Sequence, residues 1–312
     1  MCEDNQTTVT EFVLLGFPNT HKFRAFFFVL TFLVYMLTFL GNLGIILLVS
    51  SSYCLHRPMY FFISNLALAD LVITTSIVSN MLGIIWLDGH TMSINGCVSQ
   101  FFFVFVPTYA QCCLLMVMSF DRYVAICFPL HYSSIMSITF SFQLIFGSWI
   151  IGVLLIKVEV ILISQLHFCS SNIIDHFFCD FAPLLALSSS KVYVLAWLDI
   201  SFNIFVIFLP FVCITVSYIC IFVVILKISS SKGRRKTFST CSSHLLVVCT
   251  YYGSLIGVYM SPTRASAFYE NKLKSLLFVM LTPFTNPIIY SMRSKEIIDT
   301  IKNLYKRRKS KH

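Results

Sequence analysis

The segment Met118–Cys127, with the sequence MSFDRYVAIC, ends a long apolar stretch by placing an acid, a base and an aromatic residue in succession. Apolar residues extend back from it to residue 97, and a helix needs about 20 such residues to cross a bilayer. Asp121 and Arg122 then lie at one mouth of a spanning helix, where an arginine without a partner is costly. The segment therefore predicts a membrane helix with a functional charge pair at its end.

The composition of the 312-residue chain is that of a membrane protein. Hydrophobic residues make up 57% and charged residues 11% of the chain, and the mean hydropathy is +0.84, whereas a soluble domain carries about 25% charged residues. The net charge of +9 does not indicate nucleic-acid binding, because no polar domain is present to carry a basic face. The sequence contains no nucleophile elbow, nucleotide-binding loop or metalloprotease motif, so we expect neither an enzyme nor a cofactor or metal site.

Seven apolar stretches are long enough to span a membrane, and a polar or turn-rich segment separates each from the next. They cover residues 24–50, 58–80, 97–127, 140–162, 195–227, 238–261 and 272–292. This pattern predicts an all-α fold, a seven-transmembrane helix bundle at 24–292 between an N-terminal segment at 1–23 and a tail at 293–312. In the tail, apolar residues recur at helical spacing among Lys and Arg, which predicts a short amphipathic C-terminal helix on the inner membrane surface. These residues are Ile297, Ile298, Ile301 and Leu304.

The distribution of basic residues predicts the orientation of the chain. Most of the 22 Lys and Arg residues fall on segments that face the cytoplasm if the N-terminus is outside, and short cytoplasmic segments are enriched in these residues. We therefore expect an extracellular N-terminus and a cytoplasmic tail, in the lipid bilayer of the plasma membrane. The sequon Asn5-Gln6-Thr7 then lies on the side where Asn5 can be glycosylated.

Further motifs identify a family. They are Gly41-Asn42, Leu55–Phe62 (LHRPMYFF), Ser217-Tyr218, Lys236–His244 (KTFSTCSSH), Tyr252-Gly253 and Asn286–Tyr290 (NPIIY). Together with Met118–Cys127, these motifs resemble those of vertebrate olfactory receptors, within the rhodopsin-like superfamily of G-protein-coupled receptors, over essentially the whole chain. The fragments around Pro58, Arg122 and Ser239 are specific to odorant receptors, whereas Asn-Pro-x-x-Tyr indicates only the superfamily.

The resemblance assigns a switch to the inner half of the bundle. It implies that Arg122 is restrained in the resting state and meets a G protein when the sixth span swings outward. The residues implied in coupling and switching are Asp121, Arg122, Tyr123, Tyr218, Asn286, Pro287 and Tyr290. Pro287 breaks the helical hydrogen-bond ladder, and we expect Asn286 to satisfy the backbone groups that it frees.

Two positions depart from the family's pattern. The resemblance makes Asp70 the centre of an ion or water network, but Gln111 stands where many olfactory receptors carry an acid, so we expect a network hub and only a weak sodium ligand. The resemblance also pairs Cys97 with Cys179 in a disulfide. It would pair Cys169 with a cysteine at a position that is Ser189 in this chain.

By resemblance, the ligand pocket lies among the outer halves of the third, fifth and sixth spans. The candidate lining residues are Val104, Phe105, Thr108, Tyr109, Glu159, Phe202, Asn203, Val206, Tyr252, Leu255, Ile256 and Tyr259. Apolar walls with a few polar groups suit a small volatile molecule. Lys157 and Glu159 are two residues apart and should point to different faces of their helix. We hypothesise that Glu159 or Asp199 favours ligands that donate hydrogen bonds, including amines.

The resemblance implies an odorant receptor that activates the stimulatory, olfactory-type heterotrimeric G protein and so raises cyclic AMP. One alternative is a rhodopsin-like receptor for a non-odorant metabolite, with the same mechanism. A membrane transporter or channel is the other alternative, but the two halves of the sequence show no matched pair of broken helices of the kind found in transporters.

Overall fold

The structure, a computed structural model, describes residues 9–17, 23–87, 89–168, 171–188, 193–259 and 268–309. Seven helical segments in these ranges are long and apolar enough to cross a membrane, so the predicted seven-helix bundle is confirmed. The helices are α1 (Arg24–Ser51), α2 (Pro58–Leu87), α3 (Ile94–Cys127), α4 (Tyr132–Ile135), α5 (Ile138–Ser164), α6 (Phe181–Leu187), α7 (Tyr193–Asn203), α8 (Leu209–Lys227), α9 (Ser231–Tyr259), α10 (Phe268–Arg293) and α11 (Lys295–Lys309).

The third span, α3, is the centre of the bundle. In its most apolar stretch 83% of the residues are buried, against 22% in α1. Side chains such as Phe26, Leu40 and Phe146 are more than half exposed on the outer face, where they meet lipid. The spans therefore bury one face within the bundle and leave an apolar face outward, as a bundle in a bilayer requires.

The fifth span consists of α7 and α8, joined by a π-helical turn at Ile204–Phe208. Pro210 follows this turn and has no N–H to donate to the preceding turn of the helix. Wider turns of this kind are common at functional sites. Val206, within the turn, is buried, so the irregularity directs a side chain into the bundle.

Local polar groups define where the spans begin. The Ser93 side chain accepts a hydrogen bond from Gly96 N and starts α3, and the Ser137 side chain accepts one from Phe140 N and starts α5. Such N-caps satisfy amide groups that have no partner within the helix. The sixth span begins at Ser231, earlier than the predicted residue 238, because the basic segment continues the helix beyond its apolar part.

Three short strands, which the sequence analysis did not predict, form a sheet on the outer side. They are β1 (Glu11–Leu14), β2 (His90–Ser93) and β3 (Ile173–Ile174), in the order β2-β1-β3. The N-terminal strand β1 pairs antiparallel with β2 and parallel with β3. We call this sheet, together with residues 171–188, the outer lid.

Candidate functional site

The residues predicted to line a ligand pocket are mostly buried in the outer half of the bundle. Val104, Phe105, Thr108, Tyr109, Glu159, Val206, Tyr252 and Leu255 are buried, and Phe202 and Asn203 are partly buried. Ile256 is 46% exposed on the outer face of α9 and does not join the others. The side chain of Tyr259 lies outside the described residues.

A polar network runs through these apolar walls. The Tyr109 hydroxyl lies 3.3 Å from Glu159 Oε1 and 3.3 Å from Asn203 Oδ1, so its single hydrogen is shared between two acceptors. Asn203 Nδ2 donates to Asp199 Oδ1 at 3.0 Å. The network joins the third, fourth and fifth spans through neutral donors and two carboxyl groups.

The charged pair of the fourth span divides between two environments. The Lys157 side chain is exposed on the outside of α5, whereas Glu159 is 2% exposed inside the bundle, as their spacing predicts. In the part of the chain that the structure describes, neither Glu159 nor Asp199 forms an ion pair with a Lys, Arg or His side chain. These two carboxyl groups are therefore available to a ligand that donates hydrogen bonds.

Tyr251, which the sequence analysis did not select, links the third and sixth spans. Its hydroxyl donates to Thr108 O at 2.8 Å and lies 3.3 Å from Cys112 Sγ. The neighbouring Tyr252 hydroxyl is also buried and lies close to Cys112.

Asp70 is held at the centre of the bundle by side chains from two other spans. Gln111 Nε2 donates to Asp70 Oδ1 at 2.7 Å, and Asn286 Nδ2 donates to Asp70 Oδ2 at 2.8 Å. All three residues are buried. Each carboxylate oxygen thus accepts from an amide, and the second, third and seventh spans meet at one group.

The role expected for Asn286 beside Pro287 is corrected by this geometry. The carbonyl that Pro287 leaves without its usual partner is that of Pro283, four residues earlier. It accepts from Asn42 Nδ2 of the first span at 2.9 Å, whereas the amide of Asn286 donates to Asp70. The Tyr290 hydroxyl and Asn286 Oδ1 are buried and have no hydrogen-bond partner among the described residues.

At the inner end of α3, the charge pair forms between neighbouring residues of that helix. Arg122 Nη2 and Nε donate to Asp121 Oδ2 at 2.6 and 3.0 Å, and the Tyr132 hydroxyl of α4 donates to Asp121 Oδ1 at 2.8 Å. Burial and the adjacent Asp121 carboxylate raise the pKa of Tyr132, so its hydroxyl remains a donor. Asp121 is fully buried while the Arg122 side chain retains 15% exposure.

Above this pair, a hydrogen bond joins the fifth and sixth spans. The Tyr218 hydroxyl lies 2.7 Å from His244 Nδ1, with the two rings stacked. His244 is fully buried. Tyr123, one residue after Arg122, packs its ring against Phe128 with centroids 5.6 Å apart. Tyr123 and Tyr218 pack against the same small apolar cluster beside Asp121 and Arg122, whereas Asn286, also predicted as a switch residue, lies at Asp70 in the centre of the bundle.

The outer lid is fastened to α3 by the disulfide between Cys97 and Cys179, the pairing that the resemblance implied. Cys179 N donates to Gln100 Oε1 at 3.0 Å, and Gln100 Nε2 donates to Ser76 O at 2.9 Å. A covalent bond and a polar relay therefore fix the lid over the second and third spans. Cys169, Ser189 and Asn5 lie outside the described residues.

A buried lysine of the seventh span also holds the outer lid. Lys272 Nζ donates to Gly16 O at 2.8 Å and to Asp175 Oδ1. Next to Asp175, the ring of His176 stacks on Phe177 with centroids 4.7 Å apart. Burial, with a further contribution from the Lys272 charge, lowers the pKa of His176 to about 3, so this imidazole is neutral near pH 7.

Comparison with known proteins gives a consistent result over nearly the full chain. The profile of one family, described as olfactory receptor, matches residues 31–308. Putative olfactory receptor 1F12P of Homo sapiens is 41% identical over 308 residues, which cover 97% of this chain and 90% of that protein. Olfactory receptor 1C1 of Homo sapiens is 42% identical over 94% of this chain and 93% of its own length, and olfactory receptor 1f45 of Rattus norvegicus is 39% identical over 95% of each chain.

Proposed function

The chain belongs to the olfactory receptor family, and we propose that a small volatile ligand binds in the outer half of its bundle and activates a stimulatory, olfactory-type heterotrimeric G protein. Family membership makes it an odorant-responsive G-protein-coupled receptor and not an enzyme. The proposal adds the position of the ligand, the type of G protein and a rise in cyclic AMP. It also places the receptor in the plasma membrane with its N-terminus outside, an orientation that the basic residues favour.

The observation that carries the ligand assignment is the polar network of Tyr109, Glu159, Asn203 and Asp199 within apolar walls. Ligand pockets combine an apolar lining with a few well-placed polar groups. Two carboxyl groups without a cationic partner among the described residues favour a ligand that donates hydrogen bonds. A volatile amine is the strongest such ligand, because its ammonium group would also pair with a carboxylate in a medium of low dielectric constant.

The effect of ligand binding reaches the G protein through contacts between the spans below the pocket. Tyr251 connects the third span to the sixth beneath the ligand region, and Asp70 joins the second, third and seventh spans. A ligand that binds one arrangement of these helices more tightly shifts the population towards that arrangement. We propose that this shift separates Tyr218 from His244 and opens the region around Arg122 to the G protein.

A cyclic AMP reporter assay in cells that express the full-length receptor tests this proposal. The panel comprises primary amines, alcohols and alkanes of matched chain length. We expect amines to act at the lowest concentrations and Glu159→Gln to raise their half-maximal concentration at least tenfold. Lys157→Gln, on the exposed face two residues away, is the matched control and should leave it unchanged.

Arg122→Ala serves as the uncoupled control, and an N-terminal epitope tag reports surface expression. Equal potency of amines on the wild-type receptor and on both Glu159→Gln and Asp199→Asn would overturn the ligand assignment. A ligand response that persists without any change in cyclic AMP would overturn the assignment of the G protein.

A further inference from the structure

A groove opens on the lipid-facing side of the bundle, between α1, α10 and the tail helix α11. Its volume is about 510 Å³, within the range of roughly 300–1,000 Å³ that is typical of ligand sites. Leu37 and Leu48 mark its two ends on α1, and Ile288 and Ile297 line it from the other helices. The lining is almost entirely apolar, with Ser291 as its hydroxyl-bearing residue.

The groove exists because of a glycine on α1. A Cβ atom built at Gly44 would meet no other atom within 4 Å, whereas one at Gly41 would lie 3.1 Å from the ring of Pro287. At Gly41 the first span therefore packs closely on the seventh, and at Gly44 the missing side chain leaves space that no neighbour fills. Leu40, at the edge of the groove, is 58% exposed.

The length of the groove matches one leaflet of a bilayer. Leu37 and Leu48 are eleven residues apart, which in a helix rising 1.5 Å per residue corresponds to about 16 Å. Half of a hydrocarbon core of ~30 Å is about 15 Å. With the N-terminus outside, as proposed above, the groove runs from the membrane midplane to the cytoplasmic surface, which is the course of one lipid acyl chain.

The helix that closes the cytoplasmic end of the groove, α11, carries exposed lysines. Ile297 and Ile301 of α11 line the groove, and the exposed side chains of Lys302 and Lys306 follow on the same helix. The cytoplasmic leaflet carries anionic lipids that attract lysine and arginine at this depth. We propose that the groove binds one acyl chain of an anionic phospholipid of the inner leaflet, with its headgroup held by Lys302 and Lys306.

The binding of this lipid would bear on the switch, because Pro287 forms part of the groove. An acyl chain lying there packs directly against the point where the seventh span lacks a hydrogen bond. Lipid binding itself does not depend on which odorant or G protein the receptor uses. A direct binding measurement therefore fails or succeeds independently of the proposed function.

The test uses the purified full-length receptor in nanodiscs of phosphatidylcholine with a small fraction of photoactivatable phosphatidylserine. After illumination, labelled peptides are mapped by mass spectrometry. We expect labelling of the α1, α10 and α11 peptides of the wild-type receptor. Gly44→Leu fills the groove and should reduce this labelling at least fivefold. Gly147→Leu is the matched control, because a Cβ there also meets nothing within 4 Å, and should leave it unchanged.

A double substitution, Lys302→Gln with Lys306→Gln, tests the headgroup contact. It should abolish the preference for photoactivatable phosphatidylserine over the phosphatidylcholine analogue while the latter still labels the groove. Should Gly44→Leu fail to fold, Gly44→Ala replaces it and should give a smaller reduction. Unchanged labelling in the Gly44 variant, displacement of the lipid probe by a sterol, or cross-links between two receptor copies through α1 would each overturn the proposal.

Discussion

Acidification should loosen the outer lid through His176. This imidazole is buried against Phe177 and Phe178, with the charged groups of Lys272 and Asp175 nearby. Burial and the Lys272 charge lower its pKa to about 3, against an ordinary value of 6.5, and the Asp175 charge only partly opposes this shift. Protonation is therefore easier when the lid is open, so a fall in pH below 6.5 favours the open lid.

The size of the effect follows from proton linkage. A basic group whose pKa is lower in the closed state than in the open state destabilises the closed state. The loss of stability is about 1.4 kcal/mol for each pH unit below the ordinary pKa of the group. Between pH 7.4 and pH 5.5, one unit below 6.5, the contribution of His176 alone should raise the population of the open lid relative to the closed lid about tenfold. The loss of closed-state stability continues until the pH reaches about 3.

Asp180, in the same lid, has the opposite effect on how the stability of the closed lid depends on pH. Its carboxylate accepts a hydrogen bond from Phe181 N, and burial raises its pKa to about 6 from 3.8. A carboxyl group with a raised pKa destabilises the closed lid when it ionises, so the lid gains stability as the pH falls through 6. The effect of His176 must therefore be measured as a difference from a variant that retains Asp180.

The perturbation is His176→Phe, which retains a ring against Phe177 and cannot be protonated. Hydrogen exchange, followed by mass spectrometry, reports lid opening at Val13 N and Leu15 N, which donate to backbone carbonyls of residues 172 and 174. At pH 5.5 we expect these amides to exchange about tenfold faster in the wild type than in the variant, and at pH 7.4 equally fast. If these amides exchanged equally fast in the wild type and in the variant at pH 5.5 as well as at pH 7.4, the reasoning would be refuted.

Three further predictions follow from buried contacts. Gln111→Glu places a second carboxyl group against Asp70, so replacing choline by sodium should raise the melting temperature of this variant measurably, while the wild-type value changes little. Gly152→Ala sets a Cβ atom 2.6 Å from a backbone oxygen of α3, which should lower the free energy of unfolding by about 1–3 kcal/mol in a thermal shift assay; a wild-type melting temperature would contradict this. Asn42→Leu removes the donor to Pro283 O and should cost about 1–3 kcal/mol in the same assay, whereas Asn42→Gln should recover part of the loss if its longer amide reaches the carbonyl.

The helices of the bundle could be predicted because each is determined by a long local signal. An apolar stretch of sufficient length forms a spanning helix whatever its neighbours are. In lipid, only a helix lets a single segment satisfy all its backbone hydrogen-bonding groups internally. The opposite orientations of Lys157 and Glu159 likewise follow from helical geometry alone. The boundary of the sixth span was less accurate, because a basic helix can extend beyond the membrane without an apolar signal.

The outer lid and the partner of Asn286 could not be predicted because they depend on contacts between distant segments. Strand β1 has only four residues, and its partners lie in two other loops, so no alternating pattern was long enough to indicate a sheet. Asn286 is adjacent to Pro287 in sequence, which suggested a local role. The freed carbonyl of Pro283 instead finds its donor in Asn42, 241 residues earlier.

The position of β1 in the middle of the three-stranded sheet also sets an order of events during synthesis. β1 is made first, but its partner β3 follows roughly 160 residues later, an interval of about 10–30 s at a translation rate of ~5–20 residues per second. β2 is made earlier and can cover one edge of β1, but the edge that pairs with β3 stays free throughout this time and can pair with other chains. Four of the seven spans precede β3 in the sequence, so the sheet can be completed while the last three spans are still to be made.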